Sequence, residues 1–301
     1  MKKRVSLTIT ALARKVGYYR ALDIAREAGL DAVDMRVGNE IAGFDLYGQG
    51  EDAVRAYYEK VGAYARSLGL AIAQTHGRLD TVMQDAEQTE GNFLAASLDL
   101  AATAALGAPT CVLHSASTHF LSQCSAEEIQ ARNHRFFERL IPYAEAARVY
   151  MVQETFGVTK LPTGERVMEH YGDSRYLKAA NDALNTAYKG LCLDSGHTNA
   201  ALSLAPLGAG VPDAVETVYL FGKDLRVLHL NDNNRFTDQH VFPGFAGEGG
   251  VKWRELFAAL DEVGYDGFYN FELALGPAAH LEQTVRYLGP YLRAFTDGKL
   301  L

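Results

Sequence analysis

Along most of this chain an amphipathic helix pattern runs up to a glycine, and a short β-rich run follows. Val54, Tyr58, Val61, Ala65 and Leu68 share one face at a period of 3.6, Gly69 intervenes, and Leu70-Ala71-Ile72-Ala73-Gln74-Thr75-His76 continues as an apolar stretch. The same succession appears at Gly29 before Asp31-Ala32-Val33-Asp34-Met35, at Gly107 before Pro109-Thr110-Cys111-Val112-Leu113-His114, and at Gly264 before Gly267-Phe268-Tyr269-Asn270-Phe271-Glu272. Trp253, Leu256, Phe257, Leu260 and Val263 form another single-faced helix. A glycine just past a helix supplies the left-handed residue that ends it.

The runs after each glycine are continuous rather than alternating, as in strands buried on both faces. Eight are predicted, near 4–10, 31–37, 70–76, 109–115, 149–155, 190–195, 225–231 and 267–273. Strand and helix in alternation imply a parallel sheet. Eight units in 301 residues predict an α/β fold, a (β/α)8 TIM barrel, with a doubly wound open sheet as the alternative. No linker or low-complexity run interrupts the chain, so residues 1–301 read as a single domain. The longest irregular stretches, 38–50, 156–175 and 232–250, each follow a strand, where barrels carry their active-site loops.

Composition narrows the class. The chain is 48% hydrophobic and 22% charged with a net charge of −8, which suits a soluble domain and disfavours a nucleic-acid partner. No apolar stretch approaches the ~20 residues of a membrane span, and the short, polar start does not read as a signal peptide. Cys111, Cys124 and Cys192 make no CxxC pair and no disulfide framework, so a reducing cytoplasm is expected.

Chemistry collects at the predicted strand ends. In "GLCLDSGHTN" an apolar run ends on Asp194, with His197 three residues on. The third strand ends at His76, the fourth at His114 and the fifth at Glu154. The seventh carries His229 and Asp232, and the eighth ends at Glu272. In a barrel these converge at the C-terminal mouth. A strand-end His or Glu alone reads as readily as a hydrogen-bonded rim residue, but four ligand types on four successive strands do not. Glu154, Asp194, His229 and Glu272 form a hard, oxygen-rich set suited to one divalent ion, Mn²⁺, Mg²⁺, Co²⁺ or Zn²⁺. Trp253 reads as packing. Phe44 and Tyr47 read either as a wall over a ligand or as loop anchors. Gly247, Gly249 and Gly250 could approach a phosphate, but Glu248 among them would repel it, which favours an unphosphorylated ligand.

The segments "VQETFG", "CLDSGH", "HLNDNNR", "DQH..PG..GEGG.KW" and "FEL" resemble the xylose-isomerase-like barrels, the sugar phosphate isomerases and epimerases and, more distantly, endonuclease IV. The resemblance implies a metal-dependent sugar or polyol isomerase or epimerase. One divalent metal would sit on Glu154, Asp194, His229 and Glu272. Glu154 and Glu272 would exchange a proton beside a carbonyl through a metal-bound enediolate. His197 and Arg235 would bind substrate, joined by His76 and His114. Inosose-type dehydration begins with the same enolisation. The endonuclease IV pattern also finds Asp238 and His240 as additional ligands, which leaves a zinc phosphoesterase open. A barrel that binds sugar without turnover is the remaining alternative. The expected partner is a small sugar or polyol, and relatives are often homo-oligomers.

Overall fold

The computed structural model describes residues 3–161, 163–204 and 210–301. Eight parallel strands are present: β1 (Arg4–Thr8), β2 (Ala32–Arg36), β3 (Ala71–His76), β4 (Thr110–Leu113), β5 (Tyr150–Glu154), β6 (Lys189–Asp194), β7 (Leu225–His229) and β8 (Phe268–Phe271). From β1 to β7 each pairs in parallel with the next in sequence, and β8 pairs in parallel with β1. A doubly wound sheet would reverse direction partway through this order. It does not, and the fold is a nearly closed TIM barrel. The seam between β7 and β8 is the weakest join. There Leu230 N–H donates to the Asn270 carbonyl at 2.8 Å, and Glu272 N–H donates to the Leu230 carbonyl at 3.1 Å.

Helices fill the crossovers and have local reasons to start and stop. Ser125 and Glu128 form a capping box on Ala126–Ala147, and Asp213 and Glu216 form another on Ala214–Phe221. Gly107, at φ 83°, ends Ala86–Leu106 in the left-handed conformation that a side chain would strain. None of the described helices is long and apolar enough to cross a membrane.

The two faces of the strands differ in what they touch. Outward residues such as Val5, Leu7, Val33, Met35, Leu113, Met151, Leu193 and Leu228 join one large core with the helices. Inward, Val112, Val152, Cys192 and Val227 form a separate buried cluster on the barrel floor. Side chains two residues apart share a face, so the layer above that floor is His114, Glu154, Asp194 and His229. On the opposite half the inward residues are polar: Ser6, Thr8, Asp34, Gln74 and Asn270, all buried. Above them stand His76 and Glu272.

The irregular stretch 156–175 contains a small antiparallel hairpin, Val158–Lys160 with Arg166–Met168, that the sequence pattern did not reveal. The long first loop is anchored rather than open. Tyr47 donates its hydroxyl to Asp99 at 2.5 Å, and Phe44 packs edge-on against Tyr57.

Candidate metal centre

Asp194 ends β6 and also caps the helix Ser195–Ala201. Its Oδ1 accepts the His197 N–H at 2.7 Å and its Oδ2 accepts Asn231 Nδ2 at 2.8 Å. The strand–turn–helix geometry therefore sets carboxylate and imidazole side by side. Thr155, one residue past Glu154, tightens the same corner. Its Oγ1 accepts the Asp194 N–H at 2.9 Å, and its carbonyl accepts His197 Nδ1 at 2.8 Å. That bond fixes the tautomer and leaves His197 Nε2 facing the mouth, 3.4 Å from Asp238. His240 is held in the same way. Its Nδ1 donates to the Glu272 carbonyl at 2.9 Å, and its Nε2 lies 3.1 Å from Asp238.

The centre of the cluster is Glu154, fully buried. His229 Nδ1 stands 2.8 Å from Glu154 Oε1 and 3.1 Å from Glu272 Oε2. His114 Nε2 and His76 Nε2 stand 3.3 and 3.5 Å from Glu154 Oε2. One imidazole N–H cannot satisfy two carboxylates. Separations of about 3–3.5 Å are instead those between neighbouring ligands of an ion bound at ~2.0–2.2 Å. Ligand atoms of Glu154, Asp194, His229 and Glu272 all lie within 4.8 Å of one another. So do those of His76, His114 and Glu154, and of Asp194, His197 and His240. Glu154 Oε2, at the centre of the cluster, is buried without a hydrogen-bond partner, so the donor set fits a cation.

The electrostatics point the same way. Burial opposes ionisation of Glu154, but the charge and hydrogen bond of His229 and the nearby imidazoles of His114 and His76 outweigh it and hold the carboxyl well below its usual range. Glu272 is lowered to about 2, with burial overcome chiefly by His229. Burial disfavours charge on His229, yet the carboxylates of Glu154 and Glu272 raise its pKa well above the usual value. His240 rises to about 10, with burial overridden by Asp238, Asp194 and Glu272. The site retains positive charge strongly, whether as protons or as a metal that displaces them. Burial pushes the Cys192 thiol up, so it stays protonated beneath the cluster.

Nine of the ten residues selected from the sequence thus converge: His76, His114, Glu154, Asp194, His197, His229, Asp238, His240 and Glu272. Arg235 differs. Among the described residues its guanidinium makes no hydrogen bond or ion pair with the cluster. It lines a narrow cavity with Asn199, Asp213 and Lys252, on a backbone at φ 70°. Asp232 is not a ligand either. Its buried carboxylate accepts N–H bonds from Asn233, Gly244 and Val251 and from the Trp253 indole, each at 3.0 Å, and so ties down the 232–250 loop. A Cβ at Gly250 would stand 2.8 Å from Asp232 Oδ1, so this glycine makes room for a carboxylate within the chain, not for a phosphate.

Three groups escaped the sequence reading. Phe156 sits edge-on to His114 and His197, with centroids 5.0 and 6.2 Å away, and gives the site an apolar wall. Asn231 holds Asp194. Asp34, inside the barrel floor, accepts the Thr8 hydroxyl at 2.7 Å. Burial raises the Asp34 pKa and Glu272 adds to the rise, while His229, His76 and the Thr8 bond lower it.

A sequence profile of the xylose isomerase-like TIM barrel family matches residues 22–291. The chain belongs to that family. An uncharacterized protein of Methanocaldococcus jannaschii, MJ1311, is 28% identical over 136 residues, which span 45% of this chain and 42% of that one. Similar barrels include D-psicose 3-epimerase from Clostridium cellulolyticum H10 with D-tagatose (TM-score 0.69, 12% identity, 98% of this chain and 99% of that one). Another is the 3-keto-D-glucoside 4-epimerase YcjR from E. coli (0.64, 14%, 95% and 99%). A third is the IolI protein with a bound zinc atom (0.70, 16%, 97% and 99%). At these identities the likeness is one of fold.

Proposed function

We propose that this xylose isomerase-like barrel is a divalent-metal-dependent isomerase or epimerase of a sugar or polyol. The observation that carries the reading is the approach of four ligand atoms, on residues from four strands, to within 4.8 Å of one another. The fold neighbours that act on ketoses and ketoglycosides, and the zinc in IolI, support it.

Glu154, Asp194, His229 and Glu272 would hold the ion. Bound there, it supplies Lewis acidity beside a substrate carbonyl, worth several kcal/mol. Glu154 and Glu272 project from β5 and from just beyond β8, so their carboxylates flank the mouth from two sides. One takes a proton from the carbon next to the carbonyl and the other returns one. A positioned base of this kind contributes about 10²- to 10⁴-fold. His197 presents Nε2 to a substrate hydroxyl, while Phe156 covers His114 and His197 and limits water. The three cysteines are unpaired, in keeping with a reducing compartment such as the cytoplasm.

Elemental analysis after loading with Mn²⁺, Co²⁺ or Zn²⁺, followed by solvent-deuterium exchange on a ketose panel, tests this. About one ion per chain and exchange on one of the sugars support it. Absence of both refutes it. A second reading has its own support in the flanking groups His76–His114–Glu154 and Asp194–His197–His240, with Asp238 between the two last histidines. Three ions per chain and cleavage of abasic DNA would move the assignment to a phosphoesterase.

A further inference from the structure

On the far side of the mouth from Glu154, Asp194 and Glu272 lies a cleft of about 100 Å³ lined by Arg36, Val37, Gly38, Asn39, Glu40, Gly77 and Arg78. Arg36 is the last residue of β2. It lies two residues beyond the inward-facing Asp34 and pairs in register with His76, so it shares the inward face with a residue of the metal cluster. Arg78 follows His76 by two residues.

Both side chains are largely covered, at 19% and 28% exposure. Neither guanidinium makes a hydrogen bond among the described residues, although each carries five N–H donors, and Arg78 Nε is buried without a partner. Their nearest counter-charges are loose. Glu40 is 3.7 Å from Arg36, is itself 60% exposed, and is shared with Arg14, which it contacts more closely. Asp99 is 3.9 Å from Arg78 Nε and already accepts the Tyr47 hydroxyl. Burial lowers the Arg36 pKa, Glu40 raises it, and Arg14 and Arg78 lower it further, the mark of positive charge that its surroundings do not neutralise. Covered guanidinium groups without acceptors are costly unless a ligand or water supplies them, and their planar fork fits a carboxylate or phosphate.

We propose that Arg36 and Arg78 form a subsite for an anionic group, a carboxylate or phosphate, carried by the sugar whose reacting carbons lie at the metal cluster. The proposal rests on the function proposed above and narrows its substrate class to sugar acids or sugar phosphates. The mouth is polarised accordingly, with the cluster's carboxylates on the β5–β8 side and unneutralised arginines above β2 and β3. A substrate that spans it would be held at both ends, which fixes its orientation over Glu154 and Glu272.

Manganese-loaded wild type, Arg36→Gln and Arg78→Gln would be titrated calorimetrically with D-fructose, D-fructose 6-phosphate, D-fructuronate and inorganic phosphate. In the wild type at least one charged sugar is expected to bind tenfold or more tightly than fructose, since bonds to charged groups are the strong ones. Which charged sugar prevails separates phosphate from carboxylate. In either variant the preference should fall below about threefold, with manganese content unchanged and the circular dichroism spectrum retained. If one variant fails to fold, the other decides. Equal affinity for charged and neutral sugars in the wild type, a preference retained in both variants, or no binding of any probe would overturn the subsite. So would an abasic duplex that binds more tightly than any sugar and is released by the same substitutions. Solvent exchange on fructose by the wild type would leave the isomerase reading standing if the subsite fails. Charged-sugar binding without exchange on any substrate would leave the subsite standing if that reading fails.

Discussion

Asp99 is a carboxylate placed where charge is expensive, and replacing it with asparagine should stabilise the protein. The side chain is fully buried on the helix Ala86–Leu106. Oδ1 accepts the Tyr47 hydroxyl, Oδ2 has no hydrogen-bond partner, and the nearest cation, Arg78, is 3.9 Å away. Burial dominates, and despite Arg78, Tyr47 and Arg36 the pKa rises from 3.8 to about 6. The folded state therefore binds this proton more tightly than the unfolded chain does. The resulting stability is complete below pH 4 and is lost as pH climbs through 6. The gap of about two pH units is worth about 3 kcal/mol, a sizeable part of a typical total of ~5–15 kcal/mol. An asparagine in its place keeps the oxygen that accepts from Tyr47 and carries no charge. Urea unfolding of wild type and Asp99→Asn at pH 4.5 and 7.5 isolates this site, because every other titration cancels in the difference. Because pH 4.5 already lies above the unfolded value, the variant should gain about 2 kcal/mol of that at pH 7.5 relative to its margin at pH 4.5. A margin that does not change with pH, or that shrinks as pH rises, would refute the reasoning.

Other outcomes follow from single contacts. Glu154→Gln should abolish stable metal retention in elemental analysis, because Glu154 stands between two groups of ligands; retention at the wild-type level would argue against a metal role. Asn231→Ala frees Asp194 Oδ2 and should weaken zinc affinity about 10- to 100-fold in a chelator competition, with the circular dichroism spectrum retained. Trp253→Phe removes the indole N–H from Asp232 and should cost roughly 1.5–3 kcal/mol in denaturant unfolding. Gly289→Ala would drive a Cβ to 1.8 Å from the Ala28 carbonyl, between the helices Leu281–Thr296 and Tyr18–Glu27. Rigid backbone there makes a loss of at least about 1–3 kcal/mol the expected result in thermal unfolding.

The barrel was legible because its strands are buried on both sides and its helices on one, which leaves two different periodicities with glycine at the joins. The ligand layer was legible for a related reason: His76, His114, Glu154, Asp194, His229 and Glu272 interrupt apolar runs at the same end of each. What lay between those ends was not. Asp34 sits amid Ala32, Val33 and Met35, and nothing in that run says that β2 faces a polar half of the interior. Asp232 carries the same functional group as Asp194, and only the path of the 232–250 loop shows that it accepts four N–H bonds within the chain. The hairpin at 158–168 uses strands of three residues, too short for any period to register. Arg235 and His240 adopt positive φ, which their side chains do not advertise.

The seam between β7 and β8 gives the proposed metal ligands a mechanical meaning. His229 ends one of the strands that meet there and Glu272 follows the other, so their side chains flank the join that Leu230 bridges. An ion gripped by both would act as a clasp across the weakest join of the cylinder. Loss of the cofactor would then be felt as a slit opening along the wall. The amides of Leu230 and Glu272 would exchange with solvent sooner than those of β4 or β5, and a protease would reach the 232–250 loop before any other part of the barrel.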